Sequence, residues 1–208
     1  MGRLLVIPVL TSALLTLIAA MALRAADATL AVAAVAVVAA LFTWYAQLHS
    51  TDEQSALGLA NPASAITLAV VGRRPWSTLL PTVAAHVVGG VLGGLAALGL
   101  EDQLGDTLVF ADPGLVLAGA GAAAVGLIGA WTALAIDAGG PETGAVMPAV
   151  VAGAVLPLGL LVAFNPAAMI GFATAGLVPW DVALVAAGGT LVASVAGAYA
   201  VALLVPRD

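Results

Sequence analysis

The chain has 208 residues, of which 63% are hydrophobic and 8% charged, and its mean hydropathy is +1.18. Charged residues make up about 25% of soluble domains, so this composition belongs in a lipid bilayer. All five cations are arginines and the formal net charge is −6, which argues against nucleic-acid binding. The chain has no cysteine, so disulfides, thiol chemistry and cysteine-ligated metals are excluded.

Uncharged apolar runs long enough to cross a membrane recur along the chain. In chain order they are Leu4–Leu23, Ala28–His49, Ser77–Leu100, Gly114–Ile136, Thr143–Trp180 and Val182–Pro206. The fifth run has 38 residues, too many for one crossing, so we divide it into a full helix to about Leu160 and a shorter helix from Pro166. The runs predict an all-α integral membrane protein with six full transmembrane helices in a single membrane domain, residues 1–208.

The two halves of the chain match each other around two Asn-Pro-Ala stretches. Their residues are Asn61, Pro62, Ala63, Asn165, Pro166 and Ala167. The stretches contain the only two asparagines of the chain and lie 104 positions apart. Of the sixteen gap-free pairs from the asparagines to Trp76 and Trp180, eight are identical. We infer an internal repeat, with residues 1–104 as the first repeat and 105–208 as the second.

Each Asn-Pro-Ala stretch has the pattern of a helix start. Asparagine is a preferred N-cap and proline suits the first helical position, so helices are predicted to begin at Pro62 and Pro166. Glycine is a natural terminator, which predicts helix ends at Gly72 and Gly176. Eleven residues span about 16 Å, roughly half of a 30 Å hydrocarbon core. Each stretch is therefore predicted to begin a half-helix at mid-membrane.

Counting the predicted crossings gives the relative orientation of the two repeats. The first half-helix follows two spans and the second follows five, so the half-helices enter from opposite faces and the repeats are inverted. With a cytoplasmic N-terminus, four of the five arginines lie inside and only Arg24 lies outside, as the positive-inside rule prefers. We predict a multi-pass plasma-membrane protein with both termini cytoplasmic, the segment Glu101–Asp112 outside and the loop Asp137–Glu142 inside.

Small residues four positions apart on the third and last spans predict close helix packing, because small side chains let helix backbones approach in lipid. The pairs are Gly89/Gly93, Gly90/Gly94 and Ala193/Gly197.

Two helix starts that meet at mid-membrane predict a polar passage. A backbone that breaks inside hydrocarbon needs polar surroundings or burial in protein. Each helix start carries roughly half a positive charge, which disfavours cations. The side-chain amides of Asn61 and Asn165 can donate hydrogen bonds to a passing neutral solute. The pattern predicts a passive pore for water or small neutral solutes, with no cofactor and no metal.

Paired Asn-Pro-Ala half-helices in an inverted repeat resemble the aquaporin, or major intrinsic protein, family. The likeness is specific only in the two motif regions, the first of which is Asn61–Ala69 followed by Gly72–Trp76. The resemblance implies an aquaporin-like right-handed bundle of six transmembrane helices plus two re-entrant half-helices. It also implies a homotetramer in the lipid bilayer, in which each subunit conducts water or small uncharged molecules without energy input past Asn61 and Asn165.

The chain departs from the family at the outer filter. Where the family usually has an arginine after the second motif, this chain has Ala168. The resemblance places the other filter positions near Phe42 or Leu41 on the second span, Gly153 on the fifth span and Val162 in the following loop. Such a filter is wide and apolar. A glycerol- or gas-type channel therefore stays open as an alternative to a water channel.

The two histidines are secondary, pore-adjacent candidates. His86 stands where the family commonly has glutamine, and no acid or second histidine forms a ligand pattern with it. A packed, hydrogen-bonded histidine is the simpler interpretation. His49 lies at the predicted inner mouth beside Asp52 and Glu53, where a solvated loop is the simpler interpretation. No Ser/His/Asp, zinc or phosphate-binding constellation occurs, so we do not predict an enzyme.

Two functions of other classes stay open. A secondary transporter also uses inverted repeats and broken helices, but ion-coupled carriers hold a charged side chain within the bilayer, and the predicted spans hold none. A non-conducting structural member of the family agrees with the missing filter arginine. A passage blocked by Met169, Phe164 or Phe172 favours that interpretation. The transporter is the least favoured of these alternatives.

Overall fold

The computed structural model describes residues 2–24, 61–104, 114–139 and 165–204, together with the single positions 37, 41 and 45. These residues form seven helices, and no strand occurs among them. The helices are α1 (Gly2–Arg24), α2 (Pro62–Val70), α3 (Trp76–Gly99), α4 (Glu101–Leu104), α5 (Gly114–Gly139), α6 (Pro166–Thr174) and α7 (Trp180–Leu204). The all-α prediction is confirmed for this part of the chain.

Three helices of the described part are long and apolar enough to cross a membrane. They are Trp76–Gly99, Gly114–Leu134 and Trp180–Leu204. Four of the predicted spans match α1, α3, α5 and α7 to within about three residues at each end, the usual uncertainty of helix boundaries. The predicted second span is described only at positions 37, 41 and 45, which are helical, and the predicted fifth span lies outside the described residues. The long apolar helices fit a membrane-embedded protein.

The two short helices α2 and α6, here called the half-helices, begin where the sequence predicts. Asn61 and Asn165 take extended backbone conformations, with φ of −149° and −143°, and the side-chain oxygen of each accepts a hydrogen bond from the first turn. Pro62 and Pro166 occupy the first helical positions, where no N–H is needed. The predicted helix starts are confirmed at both motifs.

Both half-helices end two residues earlier than predicted. Gly72 and Gly176 are not the last helical residues but lie in the following turn, with left-handed φ values of 76° and 72°. The residue after each glycine donates its N–H to a carbonyl five positions back, at 2.8 Å for Arg73 and 2.9 Å for Leu177. These bonds form the Schellman motif, which satisfies the last carbonyls of a helix and requires a left-handed residue just beyond it.

Helices α1 and α3 pack as a parallel pair through glycine. A Cβ added to Gly89 would overlap the carbonyl oxygen of Val9, and one added to Gly93 would overlap that of Ala13. An advance of four residues on one helix therefore matches an advance of four on the other, so both run in the same direction.

Helices α5 and α7 form a second parallel pair, with Gly126 against Thr190 and Gly197 against Ala130. The predicted close packing through Gly89/Gly93 and through Gly197 is confirmed. The same holds for Ala193, whose methyl group meets Gly126.

The two pairs run in opposite directions. The turn before α3 carries Arg73, whose Nη1 lies 3.8 Å from Oδ2 of Asp137 near the end of α5. The beginning of α3 therefore lies at the same end of the bundle as the end of α5. The sequence predicts both residues on the same side of the membrane, and their contact agrees with that prediction.

The half-helices pack against both pairs and against each other. Half-helix α6 contacts α3 and α1 of the first pair and α7 of the second. Half-helix α2 contacts α7 and α5 of the second pair and α3 of the first. Each half-helix thus contacts the two long helices from the other half of the chain and the long helix that follows it in its own half. The described bundle thus brings two asparagine-capped helices into its interior from the two halves of the chain.

Candidate functional site

Asn165 is buried at the start of α6, with 1% of its surface exposed. Its Oδ1 accepts hydrogen bonds from the backbone N–H groups of Ala167 at 2.9 Å and Ala168 at 3.4 Å. Its Nδ2 has no hydrogen-bond partner. The side-chain oxygen of Asn165 therefore caps the helix, while its Nδ2 remains a free amide donor in the protein interior.

Asn61 caps α2 in the same way but is only half-buried. Its Oδ1 accepts a hydrogen bond from the backbone N–H of Ala63 at 2.9 Å. Both caps leave the start of a half-helix, with its partial positive charge, inside the bundle. Because α2 and α6 contact each other, the structure brings the two capped helices of the sequence motifs together.

His86 supports the helix pair on which α6 rests. It is fully buried, and its Nδ1 lies 2.7 Å from Oγ of Ser12 on α1. One turn further along α3, Gly90 lies directly against the backbone carbonyl of Ala167. The interpretation of His86 as a packed, hydrogen-bonded side chain is confirmed. Sequence reasoning missed Ser12, since nothing near it in the sequence marks it as a partner of a residue 74 positions away.

The residues that follow the second motif are packed in the core. Ala168, Met169 and Phe172 are 4%, 1% and 3% exposed and belong to one buried apolar cluster with Leu15 and Ala19 of α1. Ala168, the predicted filter position, therefore has little exposed surface. Small side chains on α1 and α7 let α6 lie deep in the bundle.

The other predicted filter and mouth residues are mostly outside the described part of the chain. This holds for Phe42, Gly153, Val162 and His49, and also for Phe164. Leu41, the alternative to Phe42, is helical and 53% exposed. It shares this exposed face with Val37 and Tyr45, four residues away on either side.

Arg74, one of the four arginines predicted on the cytoplasmic side, is 2% exposed. Its side chain follows the first turns of α3, where Nε donates to Thr78 Oγ1 at 3.1 Å and Nη2 donates to Thr82 Oγ1. Its Nη1 has no partner. Burial lowers the pKa of Arg74 to about 10, so the guanidinium stays protonated at neutral pH. No local sequence signal separates this arginine from its exposed neighbour Arg73.

No group of three or more histidine, aspartate or glutamate side chains able to hold a metal occurs within the described ranges. A comparison of the chain with models of protein families found no matching family. A comparison with curated proteins found no similar protein.

Proposed function

We propose that the protein is a passive transmembrane channel for water or small neutral solutes, with its passage at the two asparagine-capped helix starts. The observation that carries this proposal is the free Nδ2 donor of Asn165, which is held inside the bundle by the cap that its own Oδ1 makes. A buried donor without a partner costs about 1–3 kcal/mol. A solute oxygen that passes the site satisfies that donor.

The arrangement of the helices supports a channel of the aquaporin type. The helices of each pair run in the same direction, and the two pairs run in opposite directions. Each pair contacts the half-helix from the other half of the chain, as expected for an inverted repeat. In this proposal the predicted spans at 28–49 and 143–160 complete a bundle of six transmembrane helices in the plasma membrane. The exposed apolar side chains of α5, such as Val116 and Trp131, then face lipid or the other subunits of a homotetramer.

The electrostatics of the site favour neutral solutes. Both half-helices point their N-termini into the bundle, and each N-terminus carries roughly half a positive charge. No carboxylate side chain occurs in either half-helix to offset that charge. The site therefore disfavours cations, while an uncharged solute needs only the amide donor. Water, polyols, urea and dissolved gases are the uncharged solutes that such a site favours.

Stopped-flow shrinkage of proteoliposomes tests the proposal. We expect osmotic water permeability, or glycerol or urea uptake, clearly above that of empty liposomes, with a low activation energy and no dependence on an ion gradient. Permeabilities for all three solutes equal to those of empty liposomes contradict the water and polyol forms of the proposal. Uptake that requires an ion gradient supports a secondary transporter instead.

A second candidate is a non-conducting structural member of the same fold. The observation that favours it is the dense packing after the second motif, where Asn165 and Ala168 are 1% and 4% exposed and Met169 fills the core beside them. The same assay separates the two candidates. A folded protein whose liposomes pass water, glycerol and urea no faster than empty liposomes supports this second candidate.

A further inference from the structure

The two adjacent arginines in the turn between α2 and α3 have different environments. Arg73 has a side chain that is 66% exposed and lies 3.8 Å from Asp137. Arg74 is 2% exposed, and its donors contact only the hydroxyl groups of Thr78 and Thr82 and one backbone carbonyl. No carboxylate of the described residues pairs with Arg74, and its Nη1 is unpartnered. Within the described ranges, Arg74 is thus a buried cation that no carboxylate pairs with.

Burying the Arg74 guanidinium without a carboxylate partner destabilises the folded protein. Removing a cation from water costs several kcal/mol even after relaxation, and a partner normally offsets that cost. An arginine that served only as an interfacial anchor would keep its guanidinium exposed, as Arg73 does.

The register of α3 relates Arg74 to the site. The guanidinium reaches Thr82, and the same stripe of α3 continues through His86 to Gly90, which lies against Ala167 in the first turn of α6. Eight residues of helix separate Thr82 from Gly90, a distance of about 12 Å. At an effective dielectric constant of about 20, a full charge at that distance disfavours a monovalent cation about tenfold. The guanidinium does not need to touch the solute to have this effect.

We propose that Arg74 is the fixed positive charge that excludes cations from the passage, at a position remote from Ala168, where the resembled family usually has its arginine. This inference rests on the proposed channel function. The charge of Arg74 adds to the partial charges of the two half-helix starts, so that neutral solutes pass while potassium ions and protons meet a barrier.

The test compares the two neighbouring arginines in proteoliposomes. Arg74→Gln and Arg73→Gln remove the same charge from the same turn, and potassium flux is measured beside water permeability. We expect Arg74→Gln to raise potassium flux about tenfold over the unmodified protein. We expect Arg73→Gln to change it less than about twofold, because an exposed charge is screened by salt. Arg74→Lys keeps the charge and is expected to keep cations out.

Thr78→Glu provides a second variant that leaves Arg74 in place. A carboxylate at this position neutralises the guanidinium and is expected to raise potassium flux as Arg74→Gln does. Water permeability that persists in either variant without an increase in potassium flux overturns the role of Arg74 and leaves the channel proposal standing. Water, glycerol and urea permeabilities of the unmodified protein equal to those of empty liposomes overturn both proposals.

Discussion

The side chain of Asn165 combines a helix cap with a free donor, and one substitution can separate the two. Asn165→Asp keeps an oxygen acceptor for the N–H groups of Ala167 and Ala168, and aspartate is as good an N-cap as asparagine. It removes the Nδ2 donor. The new carboxylate is buried, and the partial positive charge of the helix start offsets only part of the cost of burying it, so we expect a lower thermal stability. We expect the water permeability to fall about tenfold, the effect of one lost hydrogen bond.

Asn165→Ala is the matched comparison, because it removes the cap as well as the donor. We expect the same loss of permeability together with a destabilisation of about 1 kcal/mol, measured by thermal unfolding in detergent. Full water permeability in Asn165→Asp would show that the free donor has no part in conduction.

The hydrogen bond between Ser12 and His86 gives a prediction about stability. Ser12→Ala leaves the buried Nδ1 of His86 without its hydroxyl partner, which we expect to cost about 1–3 kcal/mol. The neighbouring Thr11 supplies the control, since its buried hydroxyl has no partner. Thr11→Val removes that hydroxyl at constant volume and is expected to be neutral or stabilising. Equal melting temperatures for the two variants would exclude the Ser12 bond as a stabilising contact.

Helix α3 is the element on which the first half of the bundle is assembled. One of its faces, Gly89 and Gly93, receives the backbone of α1, and the adjacent face, Gly90 and Gly94, receives the backbone of α6. Packing and not water exclusion holds helices together in lipid, so these close approaches carry much of the association. Two neighbouring glycine faces let one helix hold two partners at short range.

Gly90→Ala tests the second of these faces. The new Cβ would overlap the backbone carbonyl of Ala167, which no side-chain rotation can relieve, so α6 must shift. We expect a loss of about 1–3 kcal/mol in unfolding stability, the usual cost of overpacking. Gly188→Ala on α7 is the control, because nothing lies within 4 Å of its added Cβ. There we expect a gain of about 0.5–1 kcal/mol. A Gly90→Ala variant as stable as Gly188→Ala contradicts the proposed close approach.

The parts of the fold that local chemistry determines could be predicted from the sequence. Asn61 and Asn165 mark the half-helix starts because N-capping involves only neighbouring residues. The half-helix ends were predicted two residues late, since the glycine of a Schellman motif lies beyond the helix and not within it. The four-residue helix α4 was not predicted, because an acidic segment between two spans resembles an ordinary loop.

The contacts that define the site could not be predicted in the same way. Ser12 and His86 are 74 positions apart, and their hydrogen bond depends on which helices become neighbours. Arg73 and Arg74 are identical in type and adjacent in sequence, yet one is exposed and the other is 2% exposed. The direction in which a side chain leaves a turn decides between these outcomes, and no periodic pattern encodes that direction at a single position.

At the level of the whole bundle, the ion pair between Arg73 and Asp137 locates elements more than it stabilises them. Its atoms are 3.8 Å apart and the arginine is largely exposed, so its contribution is within about 1 kcal/mol. The ion pair is more informative about the direction of the helices than about stability. It places the beginning of α3 and the end of α5 at one end of the bundle, the arrangement that two oppositely directed helix pairs require.

This arrangement leads to a prediction about membrane topology. The chain has no cysteine, so single substitutions provide unambiguous labels. Ser77 lies in the first turn of the 24-residue helix α3, and Asp102 lies beyond its other end, in α4. Both are exposed, and α3 is long enough to cross the bilayer. We expect a membrane-impermeant maleimide to label Asp102→Cys in intact cells. Ser77→Cys should react only after permeabilisation, because the neighbouring arginines favour the cytoplasm.

A third variant, Asp137→Cys, tests the opposite directions of the two helix pairs separately from the orientation of the protein in the membrane. The structure places position 137 at the same end as position 77, so both should react from the same side whatever the orientation of the protein. If both react from outside and Asp102→Cys does not, the orientation deduced from the arginines is wrong, but the opposed helix pairs remain. If positions 77 and 137 react from opposite sides, the pairs are not opposed. The two asparagine-capped helices then no longer approach from opposite faces, and the channel proposal loses its structural basis.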